Sequence, residues 1–303
     1  MRIASATTRS GAGSAVTSFA GLWIPLITPF RDDAVDHAAL AALVTRLKGE
    51  GVAGFVACGS TGEAAALEAD EQLAVLDTVL AAAGKLPVVM GVGGYNLKRA
   101  LSAIEVAATR PIAALLVAPP CYIRPSQQGV IDWFTTLADA SPVPVILYDI
   151  PYRTGVALAL DTMLTLAAHP RIRAVKDCGG DAAKLQALLA DGRLAMLVGE
   201  DAQIFTSMAQ GAVGSITASA HLQTARFARL IALLADGKVL EARALWQPLM
   251  PLIAALFAEP NPGPVKAMLA RAGVIGPELR SPMLQASEEL LQRLVKLNQA
   301  ISI

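Results

Sequence analysis

From residue 21 onward, short apolar runs alternate with longer stretches whose apolar positions recur at helical spacing. The runs predict strands over Trp23–Ile27, Gly54–Ala57, Val88–Gly91, Ala114–Ala118, Val145–Tyr148, Ile172–Lys176, Ala195–Gly199 and Val213–Thr217. The intervening periodicity predicts helices, among them Asp36–Glu50, Ala69–Ala83, Gln127–Ala140 and Ala182–Ala190, with Gly51, Pro87, Pro144 and Gly192 at junctions. Eight repeats of about 25–30 residues, with strands too apolar to face water on either side, point to a closed parallel (β/α)8 (TIM) barrel. The barrel is expected over residues 21–237. A doubly wound open sheet would carry a GxGxxG turn after its first strand, whereas here that strand runs into Thr28-Pro29-Phe30. Beyond residue 237 the strand pattern stops. Segments 238–258, 264–273 and 282–300 predict a C-terminal helical appendage (238–303), broken by Pro/Gly-rich turns. Residues 1–20 are rich in Ser, Thr, Gly and Ala and lack the roughly 7–15-residue apolar core of a secretory signal. They read as a loosely held N-terminal arm.

Composition narrows the function classes. Lys plus Arg and Asp plus Glu each total 25, so the formal charge is zero. With no basic stripe, nucleic acid is not an expected partner. No run reaches the ~18–20 apolar residues of a membrane span. A hydrophobic share of 54% suits a chain that also buries surface against copies of itself. Cys58, Cys121 and Cys178 lie far apart, as reduced thiols of a cytoplasmic protein would. His37, His169 and His221 show no ligand spacing with them, so no metal is expected.

In such a barrel the chemistry sits at the C-terminal ends of the strands. Of eight lysines, Lys176 alone closes a predicted strand. Barrel walls that exclude water penalise its ammonium and favour a nucleophilic amine, which attacks ketones to form an iminium. The competing explanation is a lysine that snorkels to the rim. Ser60-Thr61-Gly62 offers two hydroxyls and a turn whose N–H groups can hold a carboxylate, although an ordinary strand-to-helix turn has the same look. Tyr148 would sit one strand from Lys176, where a phenol can shuttle protons or merely pack. Arg153 has a fork suited to a second carboxylate, or to solvent. Glu200 and Asp201 are expected to cap the following helix.

Five motifs then occur in order: Gly59-Ser-Thr-Gly-Glu63, Tyr122 with Arg124-Pro-Ser-Gln127, Tyr148-Asp-Ile-Pro-Tyr-Arg-Thr-Gly155, Lys176-Asp177 and Glu259-Pro-Asn-Pro-Gly-Pro-Val-Lys266. From about Gly21 to about Pro282 the chain resembles the dihydrodipicolinate synthase/N-acetylneuraminate lyase family of pyruvate-dependent barrel enzymes. The resemblance implies a Schiff base between Lys176 and pyruvate, with no other cofactor. It implies a proton relay of Tyr148, Ser60 and Tyr122, the last lent by a neighbouring subunit of a dimer of dimers. Thr61 matches the pyruvate-carboxylate site, and Ile216 the position whose main chain lines the pyruvate pocket. Arg153 and the Glu259–Lys266 stretch look like those of members that condense pyruvate with aspartate semialdehyde on the route to lysine and diaminopimelate.

Departures are also visible. Ser60 stands where such members have Thr, Gly179-Gly180-Asp181 lacks their hydroxyl residue, and Cys121 and Ile123 flank Tyr122 where many carry Tyr and Asn. Ala64, Ala65, Ala69, Tyr95, Arg99 and Cys121 occupy the positions of a lysine feedback pocket, without its carboxylate or phenol, so lysine insensitivity is expected. Two alternatives stay open: a related aldolase or dehydratase acting on 4-hydroxy-2-oxoglutarate or a sugar-derived acid, and a barrel that binds a 2-oxo acid without turnover.

Overall fold

The computed structural model describes residues 18–301. Among them are ten strands: β1 (Gly21–Pro25), β2 (Phe30–Arg31), β3 (Ala34–Val35), β4 (Gly54–Ala57), β5 (Val88–Val92), β6 (Ala114–Val117), β7 (Val145–Asp149), β8 (Ile172–Asp177), β9 (Ala195–Val198) and β10 (Gly214–Ile216). Eight of them close a parallel barrel in the order β1-β10-β9-β8-β7-β6-β5-β4. The expected (β/α)8 fold is therefore present, with strand ends moved by two residues at most. The remaining pair, β2 and β3, forms a small antiparallel hairpin after the first barrel strand that the hydrophobic pattern did not announce.

Helices α1 (His37–Lys48), α2 (Ala69–Ala83), α3 (Leu97–Ala107), α4 (Gln127–Ala140), α5 (Pro151–Thr154), α6 (Leu160–Leu166), α7 (Ala182–Asp191), α8 (Ile204–Gln210) and α9 (Thr224–Ala235) intervene between strands or follow the last. Several starts are set by side chains that satisfy otherwise orphaned N–H groups. Asp36 accepts from Ala39 N, Asn96 from Arg99 N, Ser126 from Gly129 N and Asp181 from Lys184 N. Glu68 and Glu71 form a reciprocal capping box at α2.

Alternation along the strands divides the buried side chains into two sets. Val56, Val89, Ala114, Leu116, Ile146, Tyr148, Ala174, Leu197 and Ile216 fill the barrel with Trp23 and Phe19. Their neighbours, such as Phe55, Val88, Leu115, Leu147 and Val175, pack outward against the helices. Phe19 corrects one expectation. It is buried, its ring lies 6.2 Å from that of Trp23, and its carbonyl accepts from Trp23 Nε1 at 3.0 Å. The end of the supposed loose arm is thus anchored in the barrel, while residues 1–17 lie outside the described ones.

One irregularity sets the register at the site. Val145 pairs with Ile172 but Ile146 with Ala174, so Arg173 is an extra residue in β8. Ile172 consequently faces the helices while Ala174 faces the interior. By the same alternation Lys176 follows Ala174 inward and pairs directly with Tyr148.

After α9 come α10 (Val239–Leu256), α11 (Gly263–Arg271) and α12 (Glu288–Ile301). This helical region does more than flank the barrel. Asn261, Lys266 and Arg280 reach back to the loop that follows β4.

Candidate active site

At the C-terminal mouth a cavity of about 270 Å³ is lined by Ser60, Thr61, Tyr148, Arg153, Lys176 and Ile216. Six of the seven side chains singled out from sequence are thereby brought together. The seventh, Tyr122, is 86% exposed on the loop after β6 and does not line the cavity.

Lys176 is buried at the top of β8, and its Nζ lies 4.2 Å from the centroid of the Tyr148 ring. Burial lowers its pKa, and Arg153 adds to that effect, while Cys178, Asp201 and Glu200 oppose it. Desolvation therefore favours the neutral, nucleophilic amine. Gly199, at the end of β9, makes room for it: a Cβ there would sit 2.5 Å from Cys178 Sγ and 2.8 Å from Lys176 Cγ. Only a residue without a side chain lets the lysine stem run across the strand end.

Tyr148 is also buried, and its hydroxyl lies 3.2 Å from Ser60 Oγ. Burial raises the phenol pKa well above its ordinary value, with Cys178 adding to the rise and Ser60 opposing it. A protonated phenol hydrogen-bonded to a hydroxyl beside an amine can give a proton to, or take one from, an adduct formed there.

The loop after β4 is tightly built. Cys58 and Glu63 both take left-handed conformations at φ 53°, bracketing a 3-10 turn over Ser60–Gly62. Such conformations persist only where surroundings hold them. Here Thr28 Oγ1 donates to the Gly62 carbonyl at 2.7 Å, and Asn261 Nδ2 donates to Thr61 Oγ1 at 3.0 Å. Glu63 is buried with its Oε1 2.6 Å from Lys266 Nζ, and its Oε2 accepts from Arg280 N at 3.2 Å. Lys266 is fully buried, over the ring of Phe30 at 4.3 Å. Its burial pushes the ammonium pKa down, and the Glu63 carboxylate works against that.

Glu63, Asn261 and Lys266 stand inside the sequence motifs, which by themselves assign them no role. The overlooked signal was a glutamate in the first motif and a lysine in the last, opposite charges in two loops of one mouth. Asp201 needs correction. Expected to cap the following helix, it is instead buried in the wall of the cavity, with its Oδ2 accepting from Ser219 N at 2.7 Å. Burial raises its pKa to about 6.

Among the described residues there is no cluster of three or more His, Cys, Asp or Glu placed to hold a metal ion, and no helix long and apolar enough to cross a membrane. Cys58, Cys121 and Cys178 are free thiols.

Comparison with known proteins agrees with this geometry. The model of the dihydrodipicolinate synthetase family matches residues 18–301. A 4-hydroxy-tetrahydrodipicolinate synthase of Haloarcula marismortui is 38% identical over 280 residues, covering 91% of this chain and 92% of that protein. The 4-hydroxy-tetrahydrodipicolinate synthase 2 of Clostridium acetobutylicum is 35% identical over 280 residues, covering 91% of this chain and 98% of that protein. Among solved structures, dihydrodipicolinate synthase from Acinetobacter baumannii in complex with pyruvate superposes with a TM-score of 0.91 at 30% identity. That match covers 94% of this chain and all of the other. A buried strand-end lysine beside a phenol, a closed eight-stranded barrel and a match over nearly the whole chain lead to one assignment: this protein belongs to the dihydrodipicolinate synthetase family.

Proposed function

We propose that this protein is a 4-hydroxy-tetrahydrodipicolinate synthase, a Schiff-base lyase condensing pyruvate with aspartate semialdehyde in lysine and diaminopimelate biosynthesis. The observation that carries the reading is the Lys176 amine, buried and 4.2 Å above the Tyr148 ring in a cavity that Arg153 also lines. Two relatives above 30% identity bear the synthase name, and one structural neighbour was obtained with pyruvate.

In this reading the neutral Lys176 amine adds to C2 of pyruvate, and the carbinolamine loses water to give an iminium. Tyr148 passes the protons, with Ser60 as the next hydroxyl of the relay. Loss of a C3 proton gives the enamine, whose C3 bonds to the aldehyde carbon of the semialdehyde. The semialdehyde's amino group then attacks C2, closes the ring and displaces Lys176. Thr61 and its neighbouring N–H groups hold the pyruvate carboxylate, the main chain at Ile216 forms the cavity wall, and Arg153 receives the semialdehyde carboxylate. No further cofactor or metal takes part.

Tyr122, turned to solvent at φ 72°, completes the relay of a neighbouring protomer, so the working unit is at least a dimer, and the family resemblance makes it a dimer of dimers. The three free thiols fit a cytoplasmic enzyme. Ala64, Ala65, Ala69, Tyr95, Arg99 and Cys121 supply no carboxylate for an α-ammonium ligand, so millimolar lysine leaves the rate unchanged. Clear inhibition of the purified enzyme would defeat that part of the reading.

The central test is borohydride reduction with pyruvate followed by peptide mass spectrometry. The adduct is expected on Lys176, and no adduct, or one on another residue, would overturn the mechanism. Arg153→Ala separates the two substrates: condensation should fall about 10- to 100-fold, the worth of one charge-assisted contact, with pyruvate trapping intact. Equal losses of both would argue for a different acceptor.

A further inference from the structure

A second buried ion pair lies outside the machinery described so far. Asp149, the last residue of β7, is wholly buried, and its Oδ2 lies 2.6 Å from Lys184 Nζ. Lys184 sits in the first turn of α7, where its own N–H is capped by Asp181. The pair is not an isolated salt bridge. Asp149 Oδ1 accepts from Leu158 N at 3.0 Å, and Lys184 Nζ donates to the Leu158 carbonyl at 3.1 Å. Both backbone groups of one residue are thus held by the two halves of one ion pair.

Leu158 closes the loop that leaves β7 at Asp149 and carries Tyr152 and Arg153 on α5. Within the loop, Thr154 Oγ1 lies 3.1 Å from the Ile150 carbonyl and 2.9 Å from that of Val156, and Gly155 reverses the chain at φ 78°. Its start and end are tied to the same two charged groups, so the placement of Arg153 depends on that tie. Gly179 belongs to the same arrangement. A Cβ at that position would lie 2.9 Å from Asp149 Oδ2 and 3.2 Å from Lys184 Nζ, so a residue with a side chain would press on the pair. The missing hydroxyl residue after Lys176-Asp177, a departure in the sequence, thereby has a structural reason.

We infer that the Asp149–Lys184 pair, with Gly179 leaving space for it, is a positioning device that fixes the 150–158 loop and aims Arg153 at the carboxylate of the acceptor. It acts on the second substrate because, among the described residues, the side-chain hydrogen bonds that join the pair to the rest of the site go to Leu158 and not to the side chains of Ser60, Tyr148 or Lys176. The inference rests on the condensation reading above for the identity of the acceptor, and on geometry alone for the clamp.

The test uses the full-length enzyme with Lys184→Met. We expect the KM for aspartate semialdehyde to rise about tenfold, as misplacement of a substrate-holding group commonly costs that or more. The KM for pyruvate and the rate of borohydride trapping at Lys176 should stay within about twofold, the pattern of lost acceptor binding alone. Lys184→Arg, which keeps the charge, should recover part of the acceptor affinity. Hydrogen exchange of amides 150–158 should quicken in Lys184→Met without any substrate present. Should that variant fail to fold because Asp149 is left buried and unpaired, Asp149→Asn with Lys184→Met removes both charges and is read in the same way. An unchanged acceptor KM in a folded variant, or equal changes for both substrates, overturns the inference. A wild-type enzyme that traps pyruvate but ignores the semialdehyde defeats the functional reading instead, and the exchange rates then decide the clamp on their own.

Discussion

Replacing Lys266 by methionine keeps the unbranched stem of the side chain and removes the charged amine that faces Glu63 at 2.6 Å. Neither group reaches water: their side chains are 0% and 2% exposed. Breaking such a pair by deleting one partner costs about 3–5 kcal/mol, because the survivor is left charged in a poor solvent. Urea unfolding followed by tryptophan fluorescence, at fixed protein concentration, measures it. Glu63→Gln combined with Lys266→Met should recover most of the loss. The KM for pyruvate should rise in the single variant, because Glu63 ends the turn that carries Ser60 and Thr61. A deficit under about 1 kcal/mol would refute the reasoning.

Two further outcomes follow from packing and titration. Gly199→Ala places a methyl group 2.5 Å from Cys178 Sγ and 2.9 Å from Lys176 Cε, so the lysine must move. Pyruvate trapping should slow about 100-fold with a stability loss of about 1–3 kcal/mol, read by borohydride mass spectrometry and denaturation; normal trapping would contradict the assigned role of the glycine. His221 is buried and neutral, its Nε2 accepting from Ile27 N at 3.3 Å and Nδ1 lying 2.9 Å from the Ala218 carbonyl, and burial lowers its pKa to about 4. Between pH 6.5 and 4 the unfolded chain binds a proton there that the folded chain refuses, so acidification through that window costs about 3 kcal/mol. His221→Gln should flatten that part of the stability profile, and an unaltered slope would show that the histidine does not report on folding.

Much of this could be read along the chain. Barrel strands are short, apolar and separated by helices with Asp, Asn or Ser at their starts, so local chemistry marks most boundaries. Lys176 stood out because it closes a strand. Its inward direction did not, since alternation counted from Ile172, which faces the helices, would send Lys176 outward; the extra Arg173 reverses the parity. A bulge of that kind leaves no local signature. The hairpin of β2 and β3, two residues per strand, is likewise too short for a period to register. Pairings such as Glu63 with Lys266 and Asp149 with Lys184 join residues whose own neighbourhoods say nothing of each other. Asp201 was misjudged because an acidic residue after a strand ordinarily caps the next helix, whereas here the fold carries Ser219 over it.

The tie between Glu63 and the C-terminal region has a consequence for how the protein is made. The partners of Glu63 are 203 and 217 positions further along, and Asn261 is 200 beyond Thr61. During synthesis from the N-terminus, all eight barrel strands have emerged by residue 216. The turn proposed to hold pyruvate still lacks Asn261, the Lys266 counter-ion and the Arg280 amide. A nascent or shortened chain ending before residue 260 therefore carries every side chain proposed for catalysis but leaves the Glu63 carboxylate unanswered and its turn unsupported. Support for the turn arrives only once residues 261–280 are made, and loss of that segment should silence the site without removing one of its proposed reacting groups.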